Sequence, residues 1–235
     1  MKVKNKVIVV TGAGSGMGRE LVLHLLSKAA IVIGLDINKT ALEETLALAG
    51  KNKEQLSVYV LDITNRESVA QCVDKIIAVH DHVDGLINNA GIIQPFVKLN
   101  ELGYDAINRV MNVNFFGTLY MTKAFLPHLL KRPEAHILNV SSMGGFLPVP
   151  GQTMYGATKA AVKLMTEGLR SELMDTNVNV SVVFPGAVST NIATNSGLGI
   201  PSSSSSKENK SFAILTPANA ARIIIDAWNR TAIIL

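Results

Sequence analysis

Residues 7–18 of the chain read VIVVTGAGSGMG, an apolar run of β-branched residues that leads into a glycine-rich turn. The run predicts a strand over Lys6–Val10, and the apolar periodicity after the turn predicts a helix over Met17–Ala29. Glycines permit a tight turn and let backbone N–H groups approach a phosphate closely, and the following helix directs its positive end there. Alone, such a turn is a weak signal; between a strand and a helix it predicts a phosphate-binding loop.

Strands and helices alternate along the rest of the chain. Further strands are predicted over Ile31–Leu35, Leu56–Leu61, Val83–Asn88, Ala135–Val140, Val178–Phe184 and Thr231–Leu235. Further helices are predicted over Lys39–Ala49, Arg66–Val79, Gly103–Val113, Thr118–Lys131, Met154–Met174 and Pro217–Asn229. This alternation predicts βαβ units with right-handed crossovers and helices on both faces of a parallel sheet. We therefore predict a doubly wound α/β Rossmann fold of about seven strands, formed by residues 1–235 as one domain.

The composition is that of a globular domain with an aliphatic core. The chain has 235 residues, enough to bury a large core in one domain. Apolar residues make up 48% and charged residues 17%, which excludes a disordered chain. Aromatic residues are only 5%, as is typical of aliphatic parallel strands covered on both faces.

The apolar content does not indicate a membrane protein. Stretches such as Val7–Val10 and Ala29–Leu35 are far shorter than the roughly 20 apolar residues of a spanning helix. The first residues lack the long apolar core of a signal peptide, so we expect a cytoplasmic protein.

Charge and cysteine content narrow the function classes further. The net charge of +4 comes from scattered lysines and arginines, without a basic stripe interleaved with aromatics, so no nucleic-acid partner is predicted. A single cysteine, Cys72, excludes an internal disulfide and a cysteine-based metal site, and we predict no metal.

One segment departs in composition from the rest. Residues 194–210 contain five consecutive serines, Ser202–Ser206, which cannot hold a packed helix or strand. The segment follows the sixth predicted strand at its carboxyl end, where ligands bind in such sheets. We favour a substrate lid around residues 191–215, with a surface insertion without a role as the alternative.

Two acidic residues end the second and third strands. Asp36 lies 18 residues after Gly18, where a carboxylate can accept the two hydroxyls of an adenosine ribose and repel a 2′-phosphate. The residues that follow it, Ile37 and Asn38, are not arginine or lysine, so this position favours NAD over NADP. Asp62 stands at the corresponding end of the third strand. For each the alternative is a helix cap, which for Asp36 would serve the helix beginning near Asn38.

Tyr155 and Lys159 form a Y-x-x-x-K pattern on one helix face, and Ser142 lies 13 residues upstream of Tyr155, just past the fifth strand. The pattern by itself is common, and a solvated tyrosine and lysine are the alternative. A phenol with a pKa near 10 is a poor base at neutral pH, but a neighbouring ammonium stabilises the phenolate. Such a pair could therefore serve general acid–base catalysis.

Together these motifs resemble the short-chain dehydrogenase/reductase family. The glycine turn has the family's T-G-x-x-x-G-x-G form, Asn88–Gly91 has its N-N-A-G form, and Ser142 has its spacing to Tyr155. Asn114 matches the fourth catalytic position, and the resemblance extends from about Lys6 to Leu235.

The resemblance implies a role for each of the four residues. Tyr155 would be the general acid/base, and Lys159 would lower its pKa and hold the nicotinamide ribose. Ser142 would orient the substrate oxygen, and Asn114 would hold a water that links Lys159 to solvent.

The resemblance also implies a nicotinamide dinucleotide site, in which Val188 offers its backbone and Thr190 its hydroxyl to the carboxamide. Ser15 stands where NADP-dependent members often carry a base, which again favours NAD. The implied cofactor-binding residues are Gly12, Ser15, Gly16, Met17, Gly18, Asp36, Asp62, Ile63, Asn89, Ala90, Gly91, Tyr155, Lys159, Pro185, Gly186, Val188 and Thr190.

The sequence therefore favours an NAD-dependent oxidoreductase of a secondary alcohol or its ketone. An NADP-dependent carbonyl or 3-oxoacyl reductase and a non-catalytic dinucleotide-binding scaffold remain alternatives. The residues predicted to line the substrate site suggest a hydrophobic substrate and include no arginine or lysine: Met143, Phe146, Leu147, Val149, Ile192 and Leu198. Family members are often oligomers, so we predict a homodimer or homotetramer.

Overall fold

The computed structural model describes residues 1–198, 214–228, 230 and 232–234, and in them strands and helices alternate as predicted. The strands are β1 (Val7–Thr11), β2 (Ile31–Asp36), β3 (Leu56–Val60), β4 (Gly85–Asn88), β5 (Ala135–Val140), β6 (Val178–Phe184) and β7 (Ala232–Ile234). The helices are α1 (Gly16–Ser27), α2 (Lys39–Leu48), α3 (Arg66–His80), α4 (Tyr104–Met111), α5 (Thr118–Leu129), α6 (Thr153–Glu172), α7 (Ile192–Asn195) and α8 (Pro217–Asp226).

Across the described residues the strands form one parallel seven-stranded sheet in the order β3-β2-β1-β4-β5-β6-β7. The order runs outward in both directions from the β1–β4 pair, which confirms the doubly wound Rossmann fold. At this switch point the connections leave the sheet in opposite directions and open a crevice at the carboxyl ends of the strands. All the segments predicted to bind cofactor or substrate follow these ends.

The core consists of two apolar layers, one on each face of the sheet. Alternate residues of β1 enter opposite layers because successive side chains of a strand point to opposite faces. Ile8 and Val10 pack with buried residues that include Leu21 and Leu25 of α1 and Trp228 just after α8. Val7 and Val9 pack with buried residues of α3 and α5, including Ile76 and Phe125. Among the described residues, no helix is long and apolar enough to cross a membrane.

The helices α4 and α5 are joined, where the sequence predicted two separate helices. A π-helical turn over Asn112–Gly117 connects them into one continuous helical run. Such turns widen a helix by one residue and occur often at functional sites. Here the turn contains Asn114 and ends at Gly117, where a Cβ would lie 2.6 Å from Ile63 Cδ1. The glycine therefore lets the helical run approach the end of β3 closely.

The segment predicted as a lid is described in part. The short helix α7, which the periodicity did not predict, lies in it, and Leu215 forms a parallel bridge with Val188. Ser202–Ser206 lie outside the described residues.

Candidate active site

The glycine loop after β1 adopts a backbone that only glycine accepts readily. Gly12 and Gly16 have positive φ angles of 69° and 51°. A Cβ on Gly18 would overlap the carbonyl oxygen of Gly12 and lie 2.6 Å from Asn89 Nδ2. The loop is therefore shaped so that bare backbone lines the cleft beside the start of α1.

The loop is fastened to the N-N-A-G segment after β4. The backbone N–H groups of Asn89 and Ala90 each donate to Thr11 Oγ1 at 3.0 Å, and Asn89 Nδ2 donates to the Thr11 carbonyl at 3.0 Å. These bonds connect the two central strands at the switch point, so the two predicted motifs form one wall.

Asp36 is held by the backbone at the end of β2. Its Oδ2 accepts from the Gly14 N–H and its Oδ1 from the Asn38 N–H, both at 2.9 Å. Asn38 is the residue whose side chain caps α2, by accepting from the Ala41 N–H at 3.1 Å. The geometry therefore does not support the alternative in which Asp36 is the cap.

Asp62 is placed in a similar way at the end of β3. It accepts from the N–H and the hydroxyl of Thr64 at 2.9 and 2.7 Å. The side chain that caps α3 belongs to Asn65, which accepts from the Ser68 N–H at 2.9 Å.

Tyr155, Ser142 and Lys159 meet where α6 passes the loop after β5. The helix approaches this loop closely, because a Cβ on Gly156 would lie 2.8 Å from the Gly144 carbonyl oxygen. A Cβ on Gly144 would itself lie 3.5 Å from both Ser142 Oγ and Tyr155 Cε1. Lys159 Nζ lies 5.9 Å from the centre of the Tyr155 ring.

Burial shifts the ionisation of the tyrosine and the lysine. The pKa of Tyr155 is raised by burial, which disfavours the phenolate, while the hydrogen bond with the Ser142 side chain acts to lower this pKa. Burial lowers the pKa of Lys159 to about 8, and its ammonium donates to the Val140 carbonyl at 3.0 Å. Lys159 is therefore charged at neutral pH but close to its titration range.

Asn114 lies behind the Gly91–Ile92 backbone. It is fully buried, its Oδ1 accepts from the Ile92 N–H, and its Nδ2 donates to the Ile92 carbonyl, both at 2.9 Å. Its Nδ2 also donates to Thr158 Oγ1 at 3.1 Å. A Cβ on Gly91 would lie 3.3 Å from both Asn114 Oδ1 and Lys159 Nζ. The asparagine thus joins the segment after β4 to α6, next to the lysine.

The segment after β6 completes the opposite wall. The Ser142 hydroxyl donates to the Pro185 carbonyl at 3.4 Å, and a Cβ on Gly16 would lie 3.2 Å from Thr190 Cβ. The bridge with Leu215 uses the Ala187 carbonyl and the Ser189 N–H. The N–H and carbonyl groups of Val188 therefore form none of the hydrogen bonds of this bridge.

These walls enclose a cavity of about 1370 Å³ along the carboxyl edge of the sheet. Every predicted catalytic and cofactor-binding residue except Asn114 lines it. Of the predicted substrate residues, Met143, Leu147, Val149 and Ile192 line it, whereas Phe146 and Leu198 do not. Phe146 instead packs edge to face on Phe184, with ring centres 5.4 Å apart. The apolar end of the site was thus predicted in part.

Sequence reasoning missed a polar contribution from α4. Asp105, Asn108 and Arg109 of α4 and Asn112 of the π-helical turn line the cavity, so its lining does include an arginine. Arg109 donates from Nη1 to the Ser196 carbonyl at 2.9 Å. The signal was the spacing of these residues, three and four apart, which places them on one helix face. Among the described residues, no cluster of three or more His, Cys, Asp or Glu side chains could hold a metal ion.

The family model described as short chain dehydrogenase matches residues 6–199. The chain belongs to the short-chain dehydrogenase family. The resemblance seen in the motifs is thereby confirmed.

Individual relatives of this short-chain dehydrogenase span most of its length. The 3-oxoacyl-acyl-carrier-protein reductase FabG of Thermotoga maritima is 36% identical over 192 residues, which cover 81% of this chain and 77% of that protein. A short-chain dehydrogenase/reductase from Burkholderia phymatum, solved in complex with NAD, superposes with a TM-score of 0.89 at 25% identity and covers 100% of this chain and 90% of that one. The closed form of a serine dehydrogenase complexed with NADP⁺ gives a TM-score of 0.86 at 26% identity, covering 97% and 94%.

As a short-chain dehydrogenase, the protein is an oxidoreductase of CH–OH or carbonyl groups that uses a nicotinamide dinucleotide. Its glycine loop fits such a cofactor, since the positive φ angles and the close approach at Gly18 leave bare backbone facing the cavity.

Proposed function

We propose that this protein is an NAD-dependent dehydrogenase of a hydrophobic secondary alcohol, or of the matching ketone in the reverse direction. One observation carries the proposal. A tyrosine, a serine and a buried lysine meet in a cavity whose far end holds the carboxylate of Asp36.

Tyr155 is the proposed general acid/base. A bound nicotinamide dinucleotide supplies the hydride acceptor for oxidation or the hydride donor for reduction. In oxidation the Tyr155 phenolate takes the proton of the substrate hydroxyl, and in reduction the phenol returns it. The Ser142 hydroxyl donates to the substrate oxygen and orients it.

Lys159 adjusts the proton affinity of Tyr155. Burial alone keeps the phenol protonated at neutral pH, since it raises the pKa of Tyr155. The ammonium of Lys159, 5.9 Å from the ring centre, favours the phenolate as long as it keeps its own proton. Because burial lowers the pKa of Lys159 to about 8, this assistance fades above that pH.

The preference for NAD rests on the charges around Asp36. Its carboxylate is anchored by two backbone N–H groups and lines the cavity, where a 2′-phosphate would meet a negative charge. Arg19 lies near the glycine loop, but it donates to the Gly14 carbonyl and pairs with Glu44 at 2.6 Å. Lys39, at the start of α2, pairs with Glu43 at 3.7 Å.

An NADP-dependent carbonyl or 3-oxoacyl reductase is the second candidate. The likeness to the FabG reductase and to the NADP⁺-bound serine dehydrogenase favours it. A non-catalytic scaffold is disfavoured, because Ser142, Tyr155 and Lys159 are all present and lie together.

The substrate and assembly belong to the same proposal. Met143, Leu147 and Val149 make one end of the cavity apolar, which supports a hydrophobic alcohol or ketone. A homodimer or homotetramer is supported by Leu164 on α6, which exposes 70% of its surface. We propose that residues 1–235 act as one catalytic domain, with a lid around residues 191–215. The cytoplasmic location stays a prediction.

The proposal is tested with both cofactors and a Tyr155→Phe variant. We expect NADH to bind more tightly than NADPH, measured by fluorescence titration, and a panel of secondary alcohols to be oxidised with NAD⁺. Tyr155→Phe should lower kcat by at least about 100-fold, because it removes the proton acceptor, and should change NADH affinity far less than kcat.

Two results would count against it. Tighter binding of NADPH would favour the reductase, and undiminished turnover by Tyr155→Phe would exclude the mechanism.

A further inference from the structure

Gln94 lies in the loop after β4, three residues beyond Gly91, and is almost fully buried, with 1% of its surface exposed. It is not among the described residues that line the cavity, so it does not contact substrate or cofactor there. A buried side-chain amide must find hydrogen-bond partners inside the protein.

The amide of Gln94 is bonded to the start of α6. Its Oε1 accepts from the backbone N–H groups of Met154 and Tyr155 at 2.8 and 2.9 Å. Its Nε2 donates to the Gly151 carbonyl at 3.0 Å. One side chain, distant in sequence, therefore holds the backbone of the proposed general acid/base directly.

The helix α6 lacks a cap of its own. Its N-cap residue Gln152 makes no side-chain bond to the helix and instead donates from Nε2 to the Gln94 carbonyl at 2.8 Å. The first N–H groups of a helix have no partner within the helix. In α2 and α3 a local asparagine meets this need, Asn38 or Asn65, whereas in α6 Gln94 meets it from 60 residues away.

The same loop contacts two further parts of the site. Ile92 exchanges two hydrogen bonds with Asn114, and the Ile93 N–H donates to Ser196 Oγ at 2.9 Å. The loop after β4 thus connects the π-helical turn, the segment after β6 and α6. Of its residues, Gln94 is the one bonded to Tyr155.

We propose that Gln94 is a positioning residue, which fixes the first turn of α6 so that the Tyr155 phenol stands in line with Ser142 and the substrate oxygen. The inference rests on the proposed function, since it gives Tyr155 a role in proton transfer. Tyr155 lies in the first turn of α6, where a helix without a cap frays. A small displacement of a reacting group lowers the rate steeply.

The test compares two variants that each remove a helix cap. Gln94→Met keeps the length of the side chain and removes its bonds to Gly151, Met154 and Tyr155. Asn65→Ala removes the cap of α3, which carries no proposed site residue. Both are assayed at a temperature where circular dichroism shows them folded.

We expect Gln94→Met to lower kcat by about 10- to 100-fold, while the KM for NAD⁺ stays within about twofold. Asn65→Ala should lower the melting temperature and keep kcat. Gln94→Glu retains an oxygen that accepts from both N–H groups but loses the donor to the Gly151 carbonyl, so it should recover part of kcat. Its carboxylate should also displace the pH profile of oxidation to higher pH, because a nearby negative charge disfavours the phenolate.

The inference is overturned if Gln94→Met keeps kcat within about twofold, or if Asn65→Ala loses as much. Hydrogen exchange provides a measurement that does not depend on activity. The amides of Met154 and Tyr155 should exchange at least about fivefold faster in Gln94→Met, and unchanged exchange overturns the inference. An unmodified chain that is inactive with both cofactors would refute the proposed function, and the exchange result would still decide on Gln94.

Discussion

Asp36 places a fixed negative charge at the end of β2, and both of its oxygens are bonded to backbone N–H groups. A carboxylate held in this way cannot rotate away from a phosphate without losing those bonds. The fixed position of this one carboxylate is therefore what should make the protein prefer NAD to NADP.

Replacing Asp36 by Ala should shift the cofactor preference toward NADP. The change removes the repulsion of a 2′-phosphate together with the acceptor for the ribose hydroxyls. We expect the ratio of kcat/KM for NAD⁺ to that for NADP⁺ to fall by at least about tenfold, measured by steady-state kinetics. The control is Asp74→Ala on α3, which removes an exposed carboxylate that does not line the cavity. A ratio that is the same in both variants would contradict the selective role of Asp36.

At the scale of an element, the entry into α1 depends on one close approach. At Gly18 the helix lies against the Gly12 carbonyl and the Asn89 side chain, with no space for a Cβ. In α6, by contrast, a Cβ on Gly168 would meet nothing within 4 Å. Replacing glycine by alanine at both positions therefore distinguishes two effects. At Gly18 the added Cβ clashes with neighbouring atoms, whereas at Gly168 it changes only the helix propensity.

Gly18→Ala should destabilise the fold by about 1–3 kcal/mol and abolish NADH binding, because the loop must move away from the helix. Gly168→Ala should stabilise it by about 0.5–1 kcal/mol, as expected inside a helix, and leave binding unchanged. Urea unfolding and fluorescence titration measure both effects. Equal affinity for NADH in the two variants would show that the loop tolerates the displacement.

On the scale of the whole molecule, the opposite edge of the sheet has its own polar groups. Asp84 is buried at the start of β4, where it accepts from the Val7 N–H at 3.0 Å and pairs with Arg132 at 2.9 Å. His136 at the start of β5 is buried against Trp228, with ring centres 4.5 Å apart, and its Nε2 lies 2.7 Å from Ser181 Oγ. The edge opposite the cavity thus contains buried polar groups that contribute to folding stability.

Stability should fall as the pH decreases below 6.5. Burial lowers the pKa of His136 from 6.5 to about 3, so between these values the unfolded chain binds one more proton than the folded chain. The free energy of unfolding therefore rises with pH across this window, with a contribution from His136 of up to about 1.4 kcal/mol per pH unit. Burial also lowers the pKa of His24 and His80, which act in the same direction.

His136→Gln should reduce this dependence, because an amide can bond to Ser181 but does not titrate. Urea unfolding of both proteins between pH 7 and pH 5 measures the two slopes. Identical slopes would mean that His136 does not carry the acid sensitivity.

The sequence alone was enough to predict the parallel sheet, the glycine loop, and which strand ends open onto the cavity. This follows because β-branched runs, helical periodicity and glycine act locally, and because parallel strands bring their carboxyl ends to one edge. The boundaries of α4 and α5 were predicted less well, since the π-helical turn involves distant partners: Gly117 lies close to Ile63, and Asn114 is hydrogen-bonded to the Ile92 backbone. The prediction that Phe146 lines the substrate site was wrong for a similar reason, because its ring packs on that of Phe184 and does not line the cavity.

Only the tertiary structure decided which polar side chains hold the site in place. Arg109 reaches the cavity from α4, and Gln94 reaches the start of α6 from the loop after β4. The bonding partners of both side chains lie 57 or more residues away in the chain, beyond the range of any local motif. A pattern of short range can identify the residues suited to chemistry, but long-range packing determines which other side chains fix their positions.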